Sequence, residues 1–229
     1  MLKKRIIPIL LWDGKQCVQT TKFQRPYRPV GSMMQHIEVM ESRNIDELII
    51  LDIVATAEGR KPLFNEIKEF TSKLFCPVTI GGGISELDDI KRLIQDCGAD
   101  KVAMKTNYDK LAMGAIEKFG AQAIVQVIDT GKYLVNYYDH NAGELLITQI
   151  DRNGTQEGYN LDILKHIHKY WGTPVIINGG CGKPEHMKQA FDAGASACGA
   201  SSMFLFTEHT PKSVARKLAE WHVEVRLDA

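Results

Sequence analysis

Short apolar runs alternate along this chain with stretches in which apolar residues recur every three or four positions. A short continuous apolar run is typical of a strand buried on both faces, and the wider spacing is typical of an amphipathic helix. Strands that alternate with helices in this way favour a parallel sheet. The pattern predicts eight strands, at 6–11, 47–52, 78–80, 101–104, 123–129, 144–150, 175–177 and 197–200.

Helices are predicted between most of these strands. Their ranges are 33–42, 63–74, 86–97, 109–119, 161–170, 185–193 and 213–221, with Ser85 as a candidate N-cap. The link 130–143 is the exception, because it is short and its middle has the pattern of a strand. A parallel crossover normally contains a helix. We therefore expect a missing or vestigial fifth helix and thin cover over strands five and six; the alternative is an abbreviated or disordered link.

The second half of the chain repeats the first at a fixed offset. The matched pairs are Glu47 and Glu144, Pro77 and Pro174, Gly82 and Gly179, and Gly83 and Gly180. A repeat this long is typical of a duplicated half-domain rather than a solenoid. The chain has 229 residues and no evident linker, and a single (β/α)8 barrel typically has about 250. The sequence therefore predicts one domain over 1–229, a (β/α)8 TIM barrel made of two half-barrels.

Composition narrows the classes of partner. The formal net charge is zero, which argues against nucleic acid and against an anionic membrane surface. No apolar run approaches the ~20 residues of a membrane span. The basic start followed by a short apolar run is interpreted as a first strand rather than a signal peptide. Five scattered cysteines without a CxxC pair suggest reduced thiols and a cytoplasmic location.

No cofactor or metal is expected. Cys181 follows the second glycine pair and could be a nucleophile, but a small residue in a tight turn is the favoured interpretation. His166 and His168 are two apart on a predicted helix, so they face different directions and are an unsuitable pair of metal ligands.

The repeated glycines predict phosphate binding. In a parallel αβ barrel the site lies at the carboxyl ends of the strands. Glycine turns there expose successive N–H groups to an anion, and the helix N-termini just beyond favour negative charge. Two matched turns suit a ligand with a phosphate at each end, although the glycines could simply make tight turns. The candidate phosphate-binding residues are Gly82, Gly83, Lys105, Thr106, Gly179, Gly180, Ala200 and Ser201.

A carboxylate at the end of the fifth strand, Asp129, is the candidate catalytic acid or base. Aligning the two halves places Leu11 at the equivalent position of the first strand, so a pair of carboxylates across the mouth is not available. Asp13 could substitute only if its loop folds inward. Asp52 and Asp151 are further carboxylates at the substrate mouth, either of which could be structural, and Thr155 is grouped with them.

The sequence resembles the HisF family, the cyclase subunits of imidazole glycerol phosphate synthase, over nearly the whole chain. The carrying segments are 4–8, 46–53, 81–84, 98–102 and 142–159, and the Asp-Arg-x-Gly-Thr stretch from Asp151 to Thr155 is the most specific of them. The resemblance implies a barrel that holds a bis-phosphorylated ribosyl substrate. It also implies ammonia supplied through the barrel by a HisH-like glutaminase docked on the N-terminal face.

Two departures from the family pattern concern catalysis. HisF uses one aspartate on strand one and one on strand five; Asp129 matches the second, but Leu11 occupies the place of the first. The lysine expected after strand one is Gln19. The Ile-Pro-x-Leu-Leu start resembles a HisF paralogue associated with sugar amidation in surface-polysaccharide clusters. There, a HisF-like and a HisH-like protein supply ammonia to an N-acetyl-sugar amidotransferase. The short link 130–143 departs from both groups.

Four charged residues stand at strand starts: Arg5, Glu47, Lys101 and Glu144. They could form a closed ring of ion pairs at the bottom of the barrel, or be four ordinary solvated charges. All four match HisF positions that guard the ammonia entrance, which favours an ammonia gate. Neutral ammonia can cross an apolar interior, whereas ammonium would lose its hydration there.

Three functions remain open. The first is a synthase-type subunit that relays ammonia from a glutaminase to a sugar amidotransferase. The second is the histidine-pathway lyase, which converts the ribotide PRFAR and ammonia to imidazole glycerol phosphate and AICAR. The third is a non-catalytic scaffold that activates the glutaminase. Leu11 argues against the second, because that cyclisation needs an acid and a base on opposite faces.

Overall fold

A ring of eight parallel strands forms the centre of the molecule, in a computed structural model that describes residues 3–131, 141–164 and 172–227. The described ranges contain ten strands in chain order, β1 (Arg5–Trp12), β2 (Cys17–Gln19), β3 (Arg28–Gly31), β4 (Leu48–Asp52), β5 (Val78–Gly81), β6 (Lys101–Met104), β7 (Ile124–Thr130), β8 (Glu144–Gln149), β9 (Val175–Asn178) and β10 (Ala197–Ala200). The ring consists of β1 and β4 to β10, and β2 and β3 are antiparallel strands outside it. The last strand pairs in parallel with β1 and closes the ring. This confirms the predicted (β/α)8 barrel.

Helices surround the ring. They are α1 (Met33–Ser42), α2 (Phe64–Thr71), α3 (Leu87–Gln95), α4 (Tyr108–Phe119), α5 (Pro184–Asp192), α6 (Ser202–Phe206) and α7 (Pro211–Glu220). Residues 162–164 are also helical. None of these described helices is long and apolar enough to span a membrane. The predicted N-cap Ser85 was wrong by one residue: α3 is capped at Glu86, and Ser85 instead donates to the carboxylate of Asp89.

Strand alternation divides the core into two layers. On β1, Ile7, Ile9 and Leu11 belong to a cluster inside the barrel, whereas Ile6 and Leu10 pack against the helices. The same alternation on the other strands fills the barrel with aliphatic side chains. The inner cluster comprises Ile7, Ile9, Leu11, Val18, Ile49, Ala103, Val125, Leu146, Ile176 and Ala197. The middle of the barrel is therefore apolar.

An antiparallel hairpin, β2 with β3, was missed by the sequence pattern. It pairs with the end of β1 through Val18 and Cys17. Val18 joins the inner cluster, and Phe23 and Tyr27 from the hairpin loop pack against that cluster. The hairpin therefore partly covers the mouth of the barrel.

The link between β7 and β8 lies largely outside the described residues. These two strands pair in parallel over six residue positions, from Val125 with Glu144 to Thr130 with Gln149. The predicted absence of a fifth helix concerns residues 132–140, which are outside the described ranges. The predicted helix 161–170 is described only to residue 164, and the two histidines at 166 and 168 also lie outside.

Two methionines, one buried and one exposed, test how the outer helices pack against the barrel. Met187 on α5 is fully buried, whereas Met113 on α4 is 77% exposed. Met187→Ala should lower the free energy of unfolding by about 2–5 kcal/mol, because it removes buried methylenes and leaves a cavity. Met113→Ala should change it by less than about 0.5 kcal/mol. Urea unfolding measures both, and equal losses would contradict this packing.

Candidate functional site

Two glycine turns lie at the same end of the barrel, directly after β5 and β9. Gly82 and Gly180 have φ values of +112° and +101°, which side-chain-bearing residues rarely adopt. An added Cβ would stand 2.3 Å from the Asp52 carbonyl oxygen at Gly82, and 2.3 Å from the Gly158 carbonyl oxygen at Gly180. Both turns therefore require glycine, because the backbone of another segment approaches each of them closely.

The first glycine turn opens onto the larger cavity at the mouth, about 410 Å³ in volume. Its wall combines candidate polar residues with apolar side chains such as Leu51 and Val127. The predicted site residues that it brings together are Asp52, Gly82, Gly83, Lys105, Thr106 and Asp129. The first half of the predicted phosphate site and the candidate catalytic carboxylate therefore share one cavity.

The second glycine turn borders a narrow pocket of about 10 Å³. Its wall contains the other four candidate phosphate-binding residues, Gly179, Gly180, Ala200 and Ser201. Gln19, at the position where the HisF pattern has lysine, accepts a hydrogen bond from Ser201 Oγ at 3.0 Å. The hairpin therefore supplies a neutral, buried side chain to this pocket.

Asp129 forms an ion pair with Lys105 across the adjacent strands β7 and β6. The carboxylate side chain is one-quarter exposed, and the lysine is more than half exposed. The candidate base and the candidate anion-binding cation therefore neutralise each other. A phosphate that draws Lys105 away would leave Asp129 without this partner.

The first strand supplies no acid to the mouth. Leu11 is 1% exposed and lies within the inner aliphatic cluster. Asp13 stabilises the turn that follows it in the chain. Its Oδ1 accepts hydrogen bonds from the backbone N–H groups of Lys15 at 3.0 Å and Gln16 at 2.9 Å. It does not line the mouth cavity, so it does not take the place of the missing carboxylate.

Asp52 holds a loop together. Its Oδ1 accepts hydrogen bonds from the N–H groups of Val54 at 3.2 Å and Ala55 at 3.0 Å, and its Oδ2 lies 2.7 Å from Arg60 Nη1. Both oxygens of this carboxylate contact the loop that follows β4. These contacts favour the structural interpretation of Asp52 over a role in proton transfer.

The other two predicted mouth residues lie away from the larger cavity. Asp151 is exposed and lies in the short 3₁₀ helix Ile150–Arg152. Thr155 Oγ1 donates to the Arg152 carbonyl oxygen at 2.9 Å. Neither lines the mouth cavity, so their grouping with Asp52 at that cavity is not seen in the structure.

The N-terminus of α3, beyond the first glycine turn, already carries negative charge. The Asp89 carboxylate accepts hydrogen bonds from the N–H groups of Ser85 at 2.9 Å and Glu86 at 3.1 Å. Two of the N–H groups at this helix end are therefore already used by the chain's own carboxylate. The glycine turn, Lys105 and Thr106 remain the predicted phosphate-binding residues that line this cavity.

The four charged strand-start residues form a closed ring at the opposite end of the barrel, which we call the floor ring (Arg5, Glu47, Lys101, Glu144). Arg5 Nη1 lies 2.6 Å from Glu47 Oε2, and Arg5 also pairs with Glu144. Lys101 Nζ lies 2.8 Å from Glu47 Oε1 and 2.7 Å from Glu144 Oε2. Each acid thus contacts both bases, and Thr79 Oγ1 donates to Glu47 at 3.3 Å.

The floor ring stabilises its own charges. Burial opposes ionisation of Glu144, but hydrogen bonds and charge from Arg5, and then from Lys101, outweigh it and lower the pKa of this carboxyl from its ordinary 4.5. The ring also forms part of the wall of a cavity of about 970 Å³ on the bottom face, together with Lys3, Lys4, Asp46 and Arg226.

Cys181 has no features of a nucleophile. The thiol is buried beside Met203 Sδ, at 3.5 Å, and burial raises the pKa of Cys181 to about 12. A thiol of this kind stays protonated near neutral pH. The interpretation as a small residue in a tight turn is favoured.

Comparison with known proteins gives a consistent group of relatives. The sequence pattern of the family described as "Histidine biosynthesis protein" matches residues 5–210. A Campylobacter jejuni protein named "Putative imidazole glycerol phosphate synthase subunit hisF2" is 36% identical over 251 aligned residues, covering 99% of this chain and 100% of that protein.

Proteins named "Imidazole glycerol phosphate synthase subunit HisF" are similar over the same extent. The one from Bacillus cereus is 36% identical, and the one from Chlorobium phaeobacteroides is 34% identical. Each alignment covers 99% of this chain and 100% of the relative.

The floor ring should make the free energy of unfolding decrease as the pH falls into the acid range. Because the folded pKa of Glu144 is lowered, its contribution is complete above about pH 4.5 and is lost as pH falls through the folded value. Glu144→Gln should cost about 3–5 kcal/mol at pH 7, since it leaves Arg5 and Lys101 undercompensated. It should also flatten the decline in stability below pH 4.5.

Denaturant unfolding at a series of pH values measures both effects. Glu220→Gln is the matched control, because Glu220 pairs with Lys217 at the exposed end of α7. That variant should stay within about 0.5 kcal/mol of the wild type. Parallel acid profiles for the wild type and Glu144→Gln would contradict the assignment.

Proposed function

The chain belongs to the histidine biosynthesis protein family and, within it, to the HisF group; from this premise we propose that it is a synthase subunit that receives ammonia from a HisH-like glutaminase and passes it to an acceptor at the mouth. The single observation that carries the proposal is the combination of a closed floor ring with an apolar barrel interior. We propose amidation of a surface-polysaccharide sugar as the reaction that uses the ammonia.

The bottom face supports docking of the glutaminase. The cavity of about 970 Å³ lies directly beneath the floor ring. Phe75, just before the start of β5, is 92% exposed. Large exposed aromatic side chains are enriched at protein interfaces. A partner seated on this face would release ammonia next to the floor ring and away from bulk solvent.

The barrel interior supports passage of a neutral molecule. Above the floor ring, the inner cluster is aliphatic, with Thr79 as a fully buried polar side chain beside Glu47. Water-sized neutral ammonia can enter such an interior when side chains move, whereas a cation would lose its hydration without compensation. The floor ring is balanced in sign, so it offers an ammonium ion no net attraction.

The mouth supports a role other than cyclisation. The first strand supplies no carboxylate to act with Asp129, because Leu11 is buried in the aliphatic cluster and Asp13 is used in its loop. The mouth cavity and the second glycine pocket support binding of a phosphorylated small molecule. An N-acetyl-sugar amidotransferase is proposed as the enzyme that uses the ammonia, and the hisF2 name of the Campylobacter relative is compatible with a paralogue of this kind.

The histidine-pathway reaction is the second candidate. It is favoured by the full-length similarity to subunits named HisF, and it is weakened by Leu11. A scaffold that only activates the glutaminase is the third candidate. The five free cysteines support a cytoplasmic location for all three.

Blocking the interior tests the proposal. Thr79 lies inside the barrel, level with Ile49 and Lys101 on the neighbouring strands. Thr79→Trp should fill the passage, so glutamine-dependent amidation is lost while amidation from added ammonium salt is retained. Thr79→Val keeps the volume and removes only the hydroxyl, so it should leave both activities in place. The assay uses the complex of this chain with its glutaminase and the amidotransferase.

The outcomes separate the candidates. If Thr79→Trp folds, activates the glutaminase and still supports glutamine-dependent amidation, no ammonia travels through the interior and the proposal fails. If neither the wild type nor any variant supports amidation although glutamine is hydrolysed, the result favours the third candidate, a scaffold that only activates the glutaminase.

A further inference from the structure

A separate cavity of about 370 Å³ lies beside the second glycine pocket, beneath the loop of the hairpin. The two have Gln19, Gly154 and Ser202 in common in their walls, so they are neighbouring compartments of one recess. We call this larger compartment the hairpin pocket. Its full wall is Gln19, Thr21, Gln24, Arg25, Pro26, Arg28, Gly154, Gln156, Ser202 and Phe206.

The hairpin pocket is strongly cationic. Its described wall contains two arginines and no aspartate or glutamate. The Arg25 guanidinium lies over the Tyr27 ring, 5.3 Å from its centroid, and that of Arg28 lies over Phe206 at 4.7 Å. Stacking on an aromatic face fixes a guanidinium while its N–H groups remain available at the edges. Such groups suit the oxygen atoms of a phosphate.

The neighbouring glycine pocket has the opposite character. Its described wall has no lysine or arginine, only backbone groups and neutral polar side chains such as Gln19, Ser201 and Ser202. The lysine expected near this pocket is Gln19, which is tied to Ser201. Positive charge is therefore concentrated one step further out, on the hairpin. A single phosphate in the glycine pocket would leave both arginines unused.

The recess is built before any ligand arrives. Thr20 Oγ1 donates to Asn153 Oδ1 at 2.6 Å, and the Lys22 N–H donates to the Asn153 carbonyl oxygen at 2.9 Å. These bonds join the hairpin to the segment after β8, which also supplies Gly154 to the wall. A fixed arrangement of donors lowers the ordering cost of binding.

We propose that this end of the mouth binds a diphosphate, with one phosphoryl group at the opening of the glycine pocket and the next against Arg25 and Arg28. The ligand class is therefore a pyrophosphate ester, such as a nucleotide-linked sugar, rather than a compound with one phosphate at each end. The inference rests on the proposed function only in taking the second glycine turn as an anion site. At the first turn, Lys105 is already paired with Asp129, so the mouth is asymmetric.

Titration calorimetry with inorganic pyrophosphate and inorganic phosphate, in buffer without divalent metal, tests the proposal. The wild type should bind pyrophosphate at least about tenfold more tightly than phosphate, since the second phosphoryl group gains charge-assisted hydrogen bonds from the two arginines. Arg25→Gln combined with Arg28→Gln should remove this preference. The double lysine variant, Arg25→Lys with Arg28→Lys, should retain part of it.

Arg216→Gln on α7 is the matched control, since Arg216 is exposed on the outside of the barrel. It should bind both anions as the wild type does. Equal affinity of the wild type for the two anions would overturn the inference, as would a loss of preference in Arg216→Gln as large as in the double glutamine variant. Thermal unfolding of each variant verifies that it is folded.

The test is independent of the ammonia passage. If the wild type shows no preference for pyrophosphate but Thr79→Trp blocks glutamine-dependent amidation, the diphosphate inference fails and the proposed function stands. If the wild type prefers pyrophosphate but Thr79→Trp has no effect on glutamine-dependent amidation, the diphosphate inference stands and the proposed function fails.

Discussion

The floor ring is the interaction on which the rest of the structure depends. A charged side chain inside a barrel is costly unless its partners match its charge and saturate its hydrogen bonds. Here each acid contacts both bases, so the four charges sum to zero in one closed circuit. Arg5, Glu47 and Lys101 come from the first half of the repeat and Glu144 from the second. The circuit therefore joins the two halves and closes an aliphatic interior from below.

The mouth lacks the symmetry that the repeat would impose. The glycine turns after β5 and β9 match, but the side chains around them do not. Asp129 is paired with Lys105, and its counterpart on the first strand is the buried Leu11, while Gln19 and the two hairpin arginines lie near the second glycine turn. The barrel therefore has a closed floor ring and two glycine turns, but Leu11 stands where the first strand of the HisF pattern has its catalytic aspartate. This combination is compatible with a barrel that accepts ammonia without cyclising a substrate.

The sequence alone predicted the parts that depend on local pattern. Apolar runs located the eight barrel strands, and the glycine repeat marked two turns where a Cβ would meet backbone oxygen at 2.3 Å. The charges at strand starts indicated a ring because consecutive parallel strands begin at the same end. These features follow from strand period and from the conformational range of glycine.

Other parts depend on contacts between distant segments. The hairpin strands have only three and four residues, and β3 contains Arg28 and Pro29, so they lack a strand pattern. Asp52 looks like a free carboxylate until the following loop brings Arg60 back to it. Ser85 is a residue type that often caps helices, but α3 is capped at Glu86, whose N–H donates to Asp89. The hairpin pocket combines residues from loops far apart in the chain, which no local pattern indicates.

The most direct test of the account is the stoichiometry of cyclised product to glutamine. The complex of this chain with its glutaminase would be given glutamine and PRFAR, and imidazole glycerol phosphate would be counted per glutamine hydrolysed. The account predicts hydrolysis of glutamine with almost no cyclised product, because Leu11 leaves Asp129 without its opposite acid. One cyclised product for each glutamine would contradict it.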